Sequence, residues 1–89
     1  MTVKHVKNEK FRKLFDALPK ATQAKANKQF QLLKMDRKHR SLHFKKVAGE
    51  GIRWSVRVDA NYRALGYESE SEIIWYWIGT HSDFDKRLK

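Results

Sequence analysis

The chain has 89 residues, enough for one small domain with a thin core. It carries 20 Lys and Arg against 10 Asp and Glu, a formal net charge of +10, and no cysteine. The missing cysteines exclude a disulfide framework and a thiolate metal site, and the charge favours a polyanionic partner, nucleic acid or an acidic protein, over a merely solvated basic surface.

The opening Met1–Lys7 segment has no long apolar run, so no signal peptide is expected there. It reads as a short edge strand or a loose arm. Asn8 is suited to cap a helix in which Phe11, Leu14, Phe15 and Leu18 recur at i, i+3, i+4 and i+7. Pro19 interrupts that stripe and is tolerated at the start of a new helix. A second helix is therefore predicted from about Pro19 to Met35, with Ala26, Phe30 and Leu33 on its apolar face. Two helices joined so tightly form a hairpin.

Asp36 to Arg40 is a polar, basic connector. Ser41 to Val47 is read as a strand, with Leu42 and Phe44 on one face and His43 and Lys45 on the other. Ala48-Gly49-Glu50-Gly51 supplies a hairpin loop. From Ile52 to Asp59 the alternation is strict. Ile52, Trp54, Val56 and Val58 share one face, while Arg53, Ser55, Arg57 and Asp59 share the other. Asp59-Ala60-Asn61 makes a tight turn, and Tyr62 to Glu68 is the next strand. After the acidic turn Glu68–Glu72, Ile73 to Gly79 has large residues on both faces and is predicted to be central. This apolar stretch is far too short to span a bilayer. Thr80 is suited to cap a short last helix.

These elements give an α+β fold: an N-terminal helical hairpin on a mostly antiparallel four-stranded sheet, with a short C-terminal helix. No linker divides the chain, so residues 1–89 form one domain in this reading, soluble and cytoplasmic.

The sheet face away from the hairpin is expected to collect His43, Lys45, Arg53, Ser55, Arg57 and the neighbourhood of Arg63. His81 follows the last strand, with Asp83 close by. Cleaving RNA requires activation of a 2′-hydroxyl, cations for the in-line phosphoryl transition state and an acid for the leaving 5′-oxygen. Arginine suits the phosphate because its fork matches two oxygens. Histidine suits proton transfer because it titrates near neutral pH. Lys45, Arg57, Arg63 and His81 would supply these parts. Arg53 and Arg57 could instead be solvated charges, Arg63 a structural ion-pair partner and His81 a helix-capping residue. No metal-ligand spacing, glycine-rich phosphate loop or nucleophile elbow occurs, so neither metal nor cofactor is expected.

The runs Ser41–Val47, Trp54–Val58, Asn61–Gly66 and Trp75–His81, behind a helical hairpin broken at Leu18-Pro19, resemble the RelE/ParE superfamily of bacterial toxin–antitoxin toxins. The resemblance covers nearly the whole chain. Its most specific part is the pair Arg57 and Arg63 with the terminal Gly79-Thr80-His81. It implies a compact toxin with the hairpin on a curved antiparallel sheet, neutralised by a cognate antitoxin. RelE-like members cleave mRNA on the ribosome without a metal, whereas ParE-like members inhibit DNA gyrase. By position, Arg57 and Arg63 resemble the phosphate-engaging arginines, Lys45 and Lys46 the strand lysines, and His81 the C-terminal histidine of several nucleases. Arg53, Lys46, His43 and Phe84 are the expected RNA contacts. Many members carry Tyr close to the C-terminal end, and here that neighbourhood has Phe84, which can stack on a base but cannot transfer a proton. An endoribonuclease toxin that inhibits translation is the leading reading. A gyrase inhibitor, or an inactive relative that binds RNA or the ribosome, is the alternative.

Overall fold

The computed structural model describes residues 3–88. The elements are β1 (Lys4–Lys7), α1 (Glu9–Asp16), α2 (Lys20–Met35), a 3₁₀ turn (Arg40–Leu42), β2 (Lys45–Val47), β3 (Arg53–Arg57), β4 (Tyr62–Ser69), β5 (Glu72–Thr80) and α3 (His81–Arg87). The sheet has five strands in the order β1-β5-β4-β3-β2. The expected four-stranded sheet is thus extended by β1, which pairs parallel with β5. The other neighbours are antiparallel.

Local chemistry explains the boundaries. The Asn8 side chain accepts from the Phe11 amide at 2.9 Å, starting α1. Pro19, at φ −55°, opens α2 because its ring is already set near the helical φ and it has no amide to orphan. The Asp59 carboxylate accepts from the amides of Asn61 and Tyr62 at 2.8 and 3.0 Å, which fixes the β3–β4 turn. That turn places Arg57 directly opposite Arg63.

The expected strand over Ser41–Val47 is corrected. The His39 ring accepts from the Ser41 amide, and Leu42 is drawn completely into the core. The chain must therefore turn through 3₁₀ geometry, and His43 takes a left-handed φ of 44° before β2 begins.

Phe11, Phe30 and Trp75 form the centre of the main core. Phe30 meets Phe11 and Trp75 edge-on, with centroids 5.7 and 5.2 Å away, a favoured arrangement of ring quadrupoles. Ala26, Leu33, Leu42, Val56, Ala64 and Ile78 complete this layer between the helices and the sheet. Gly66 is required beneath it, since a Cβ there would lie 2.9 Å from both Ile73 and Trp75. The β4–β5 register shifts between Leu65 and Gly66, so Tyr76 is the extra residue of a bulge. Leu65, Trp77 and Phe84 form a second, smaller cluster. Here α3 covers part of the sheet face that the alternation pattern left open. No helix among the described residues is long and apolar enough to cross a membrane.

At the β1 edge, the Trp75 indole donates to Nδ1 of His5 at 3.1 Å, so that nitrogen must carry no proton. Burial, and secondarily Lys34, lower the His5 pKa from 6.5. The unfolded chain therefore takes up this proton first as pH falls. The stabilisation is complete above about 6.5 and is lost as pH drops through the lowered folded value. The melting temperature is expected to fall between pH 7.5 and 5, with a smaller fall in His5→Gln, which keeps an acceptor but does not titrate.

Candidate functional site

A cleft of about 380 Å³ lies between the β2 edge of the sheet and α3. Lys45, His43, Arg63 and His81 line it, together with Lys46, Phe84 and Asp85. The backbone explains the convergence. Lys45 pairs in register with Ser55, which is buried on the same sheet face. Ser55 pairs with Leu65, two residues from Arg63. The His81 amide donates to the Asn61 carbonyl at 2.7 Å. The turn that aligns Arg57 with Arg63 therefore also anchors the first residue of α3. The Thr80 hydroxyl accepts from the Asp83 amide at 3.2 Å and caps that helix.

Arg63 is half-buried and faces Gly79 across the sheet. Its Nη1 donates to the Asp59 carbonyl at 3.0 Å. Burial and then the adjacent Arg57 lower its pKa, while Asp85 and Asp59 act in the opposite direction. A guanidinium still keeps its charge at neutral pH. Two arginines side by side repel each other, and a phosphate between or beside them would relieve that repulsion. His81 Nε2 lies 3.7 Å from Asp85 Oδ1, one helical turn away. Asp85 was not among the sequence-based candidates, although its i+4 spacing from His81 was a usable signal. Asp83 instead stands outside the cleft.

Four candidates sit at the margin of the cleft or outside it. Arg57 lines a separate cavity of about 590 Å³ with Lys25, Lys28 and Asp59. Its side chain shares the sheet face of Ser55 and Arg63, and its charge acts on Arg63. Arg53 is held by the Glu50 carbonyl at 3.0 Å and the Tyr76 hydroxyl at 2.7 Å, and its guanidinium lies over the Tyr76 ring. Those contacts make it a clamp between the β2–β3 loop and the β5 bulge, away from the cleft lining. Phe84 is only 5% exposed and packs with Leu65 and Trp77. It forms part of the cleft wall, with no open ring face for an RNA base. Lys46 sits opposite Trp54, with its ammonium 5.6 Å from the indole centroid. It borders the cleft at its margin with a neighbouring groove.

The helix-covered sheet has the fold of small toxins from toxin–antitoxin pairs. A chain of the archaeal RelE–RelB complex from Pyrococcus horikoshii OT3 aligns with a TM-score of 0.70 at 18% identity, covering 90% of this chain and 96% of that one. A chain of the RelB–RelE complex from Methanococcus jannaschii gives a TM-score of 0.73 at 14% identity, covering 94% and 99%. YafQ from E. coli strain BL21(DE3) gives 0.71 at 11%, covering 92% and 97%. No curated protein sequence matches the chain. The family model for the ParE-like toxin domain matches residues 20–86. The chain belongs to this ParE-like toxin family.

Proposed function

We propose that the protein is the toxin of a toxin–antitoxin pair and acts as a metal-independent endoribonuclease on mRNA, on the ribosome, so that it stops translation. The observation that carries this reading is the cleft that joins Lys45, Arg63 and the His81–Asp85 pair. In the reaction the 2′-oxygen attacks phosphorus and the P–O5′ bond breaks. One proton leaves the 2′-hydroxyl and one reaches the 5′-oxygen. Lys45 and Arg63 neutralise the charge that builds on the phosphoryl oxygens. His81 is suited to carry a proton because imidazole titrates near working pH. Asp85 Oδ1 stands 3.7 Å from its Nε2 and flanks that side of the ring. Arg57 supports the site through its field on Arg63. The products are a 2′,3′-cyclic phosphate, or the 3′-phosphate formed from it, and a 5′-hydroxyl.

The RelE–RelB assemblies among the structural neighbours support an antitoxin partner that neutralises this chain. The ParE-like family match supports a second reading, inhibition of DNA gyrase without cleavage. His81→Gln separates the two. Cleavage of mRNA in a purified translation reaction is expected to fall by about 10²- to 10⁴-fold, the usual contribution of a positioned acid or base. Unchanged toxicity in His81→Gln, with supercoiling defects and intact mRNA, would favour gyrase inhibition.

A further inference from the structure

Beside the cleft lies a larger groove of about 620 Å³. Arg37, Lys38, Arg40 and Lys46 supply its charge, and Phe44 and Trp54 form its apolar wall. All four cations are exposed. Among the described residues, none of them lies in an ion pair; those pairs are Lys13–Glu9, Lys25–Asp59 and His81–Asp85. The single carboxylate at the groove, Glu68, accepts from the Trp54 indole at 2.9 Å.

The cations sit on a braced segment. The Asp36 carboxylate accepts from the Lys38 amide at 3.2 Å, the Asp36 carbonyl accepts from the His39 amide at 3.0 Å, and Leu42 is completely buried immediately after the loop. A basic loop serving only solubility has no need for convergence on one concavity. Here the charges converge, and His43 and Lys46 line both this groove and the cleft. The two concavities are therefore contiguous at the residue with the left-handed backbone.

We propose that this groove is a phosphate-tracking subsite for single-stranded RNA, holding the substrate strand to one side of the phosphate cleaved in the cleft. The inference rests on the nuclease reading for the word substrate, but the binding site itself does not. Its chemistry also sets its selectivity. Phe44 stacks on Trp54 with centroids 4.4 Å apart and planes 10° apart, and Lys46 lies over the same indole. With its ring faces taken, Trp54 is not an open platform for a base. The groove therefore reads backbone charge and has little base preference.

The test is binding of a fully 2′-O-methylated, non-cleavable single-stranded RNA across a salt series. The combined variant Arg37→Ala, Lys38→Ala, Arg40→Ala is compared with Lys10→Ala, Arg12→Ala, Lys20→Ala, which removes the same charge from the helices. Loss of three phosphate contacts is expected to weaken binding by about ten-fold or more and to make the slope of log K against log salt shallower by about 2. The helix variant is expected to retain nearly the parent slope. Lys38→Glu alone should shift affinity in the same direction. Oligo-U and oligo-A should bind within about three-fold of each other.

An unchanged slope in the loop variant, an equal loss in the helix variant, or no binding by the parent chain would overturn the groove. Binding that depends on the loop in a protein that never cleaves RNA would leave the groove standing and remove the nuclease reading. Cleavage by a protein whose loop variant binds normally would do the reverse.

Discussion

Arg63→Ala is expected to lower mRNA cleavage by about 10²- to 10³-fold, the range for removing one preorganised charge-stabilising donor. Arg63 is the one arginine among the candidates that lines the cleft with Lys45 and His81. Its position is fixed from two directions, by register opposite Arg57 and Gly79 and by donation to the Asp59 carbonyl. A guanidinium held in that way needs little reorganisation when charge develops on a phosphate. Arg57→Ala is expected to have a smaller effect, since Arg57 is not part of the cleft lining and acts on it through Arg63. The check is single-turnover cleavage with a melting curve on each variant. Arg63→Lys should recover part of the rate by restoring charge without the fork. If Arg63→Ala melts far below the parent and Arg63→Lys restores stability without any rate, the residue is structural.

The second large effect is on stability. Trp75→Ala is expected to cost about 3–5 kcal/mol. Trp75 is completely buried and lies within the main core. Phe30 meets it edge-on, Phe44 tilts against it at 6.4 Å, and His5 stacks beside it while accepting from its indole. Truncation leaves a large cavity and strands the His5 acceptor. In a domain of this size each kcal/mol lowers the melting temperature by about 4–8 °C, so thermal unfolding reads the loss directly. Trp54→Ala should cost less, because Trp54 is only partly buried. A Trp75→Ala variant that melts within a few degrees of the parent would show that the core closes around the gap.

The β3–β4 pair was the most legible part of the chain, because strict alternation fixes the two faces of β3 and a tight turn at Asp59-Ala60-Asn61 joins it to the next strand. The register that sets Arg57 opposite Arg63 was left open by the sequence and is set by the pairing in the sheet. The helices were equally legible through Asn8, Pro19 and the stripe of Phe11, Ala26, Phe30 and Leu33. Three features were not. The alternation of Leu42 and Phe44 fits a strand, yet Leu42 is buried through a 3₁₀ turn, and a two-residue period cannot register that difference. The bulge at Tyr76 is set by pairing with Gly66, a long-range event, and it supplies the hydroxyl that takes up Arg53. Finally, α3 contributes Phe84 to the cluster with Leu65 and Trp77, and Leu88 packs against it. A helix this short shows too little periodicity to reveal that it folds back over the sheet. The face that looked open is thus closed at its middle, and Phe84 becomes a wall of the cleft. The same closure brings Asp85 beside His81.

On the proposed nuclease reading the cleft promotes transesterification by the RNA's own 2′-oxygen, and the chemistry of the cut ends tests this most directly. Purified protein is added to programmed ribosomes, and the new RNA ends are assayed for phosphorylation without prior phosphatase treatment. The expected result is a 5′-hydroxyl that accepts phosphate from a kinase, opposite a 2′,3′-cyclic or 3′-phosphate end, with both products lost in Arg63→Ala. Intact mRNA, or cuts that carry a 5′-phosphate, would contradict it.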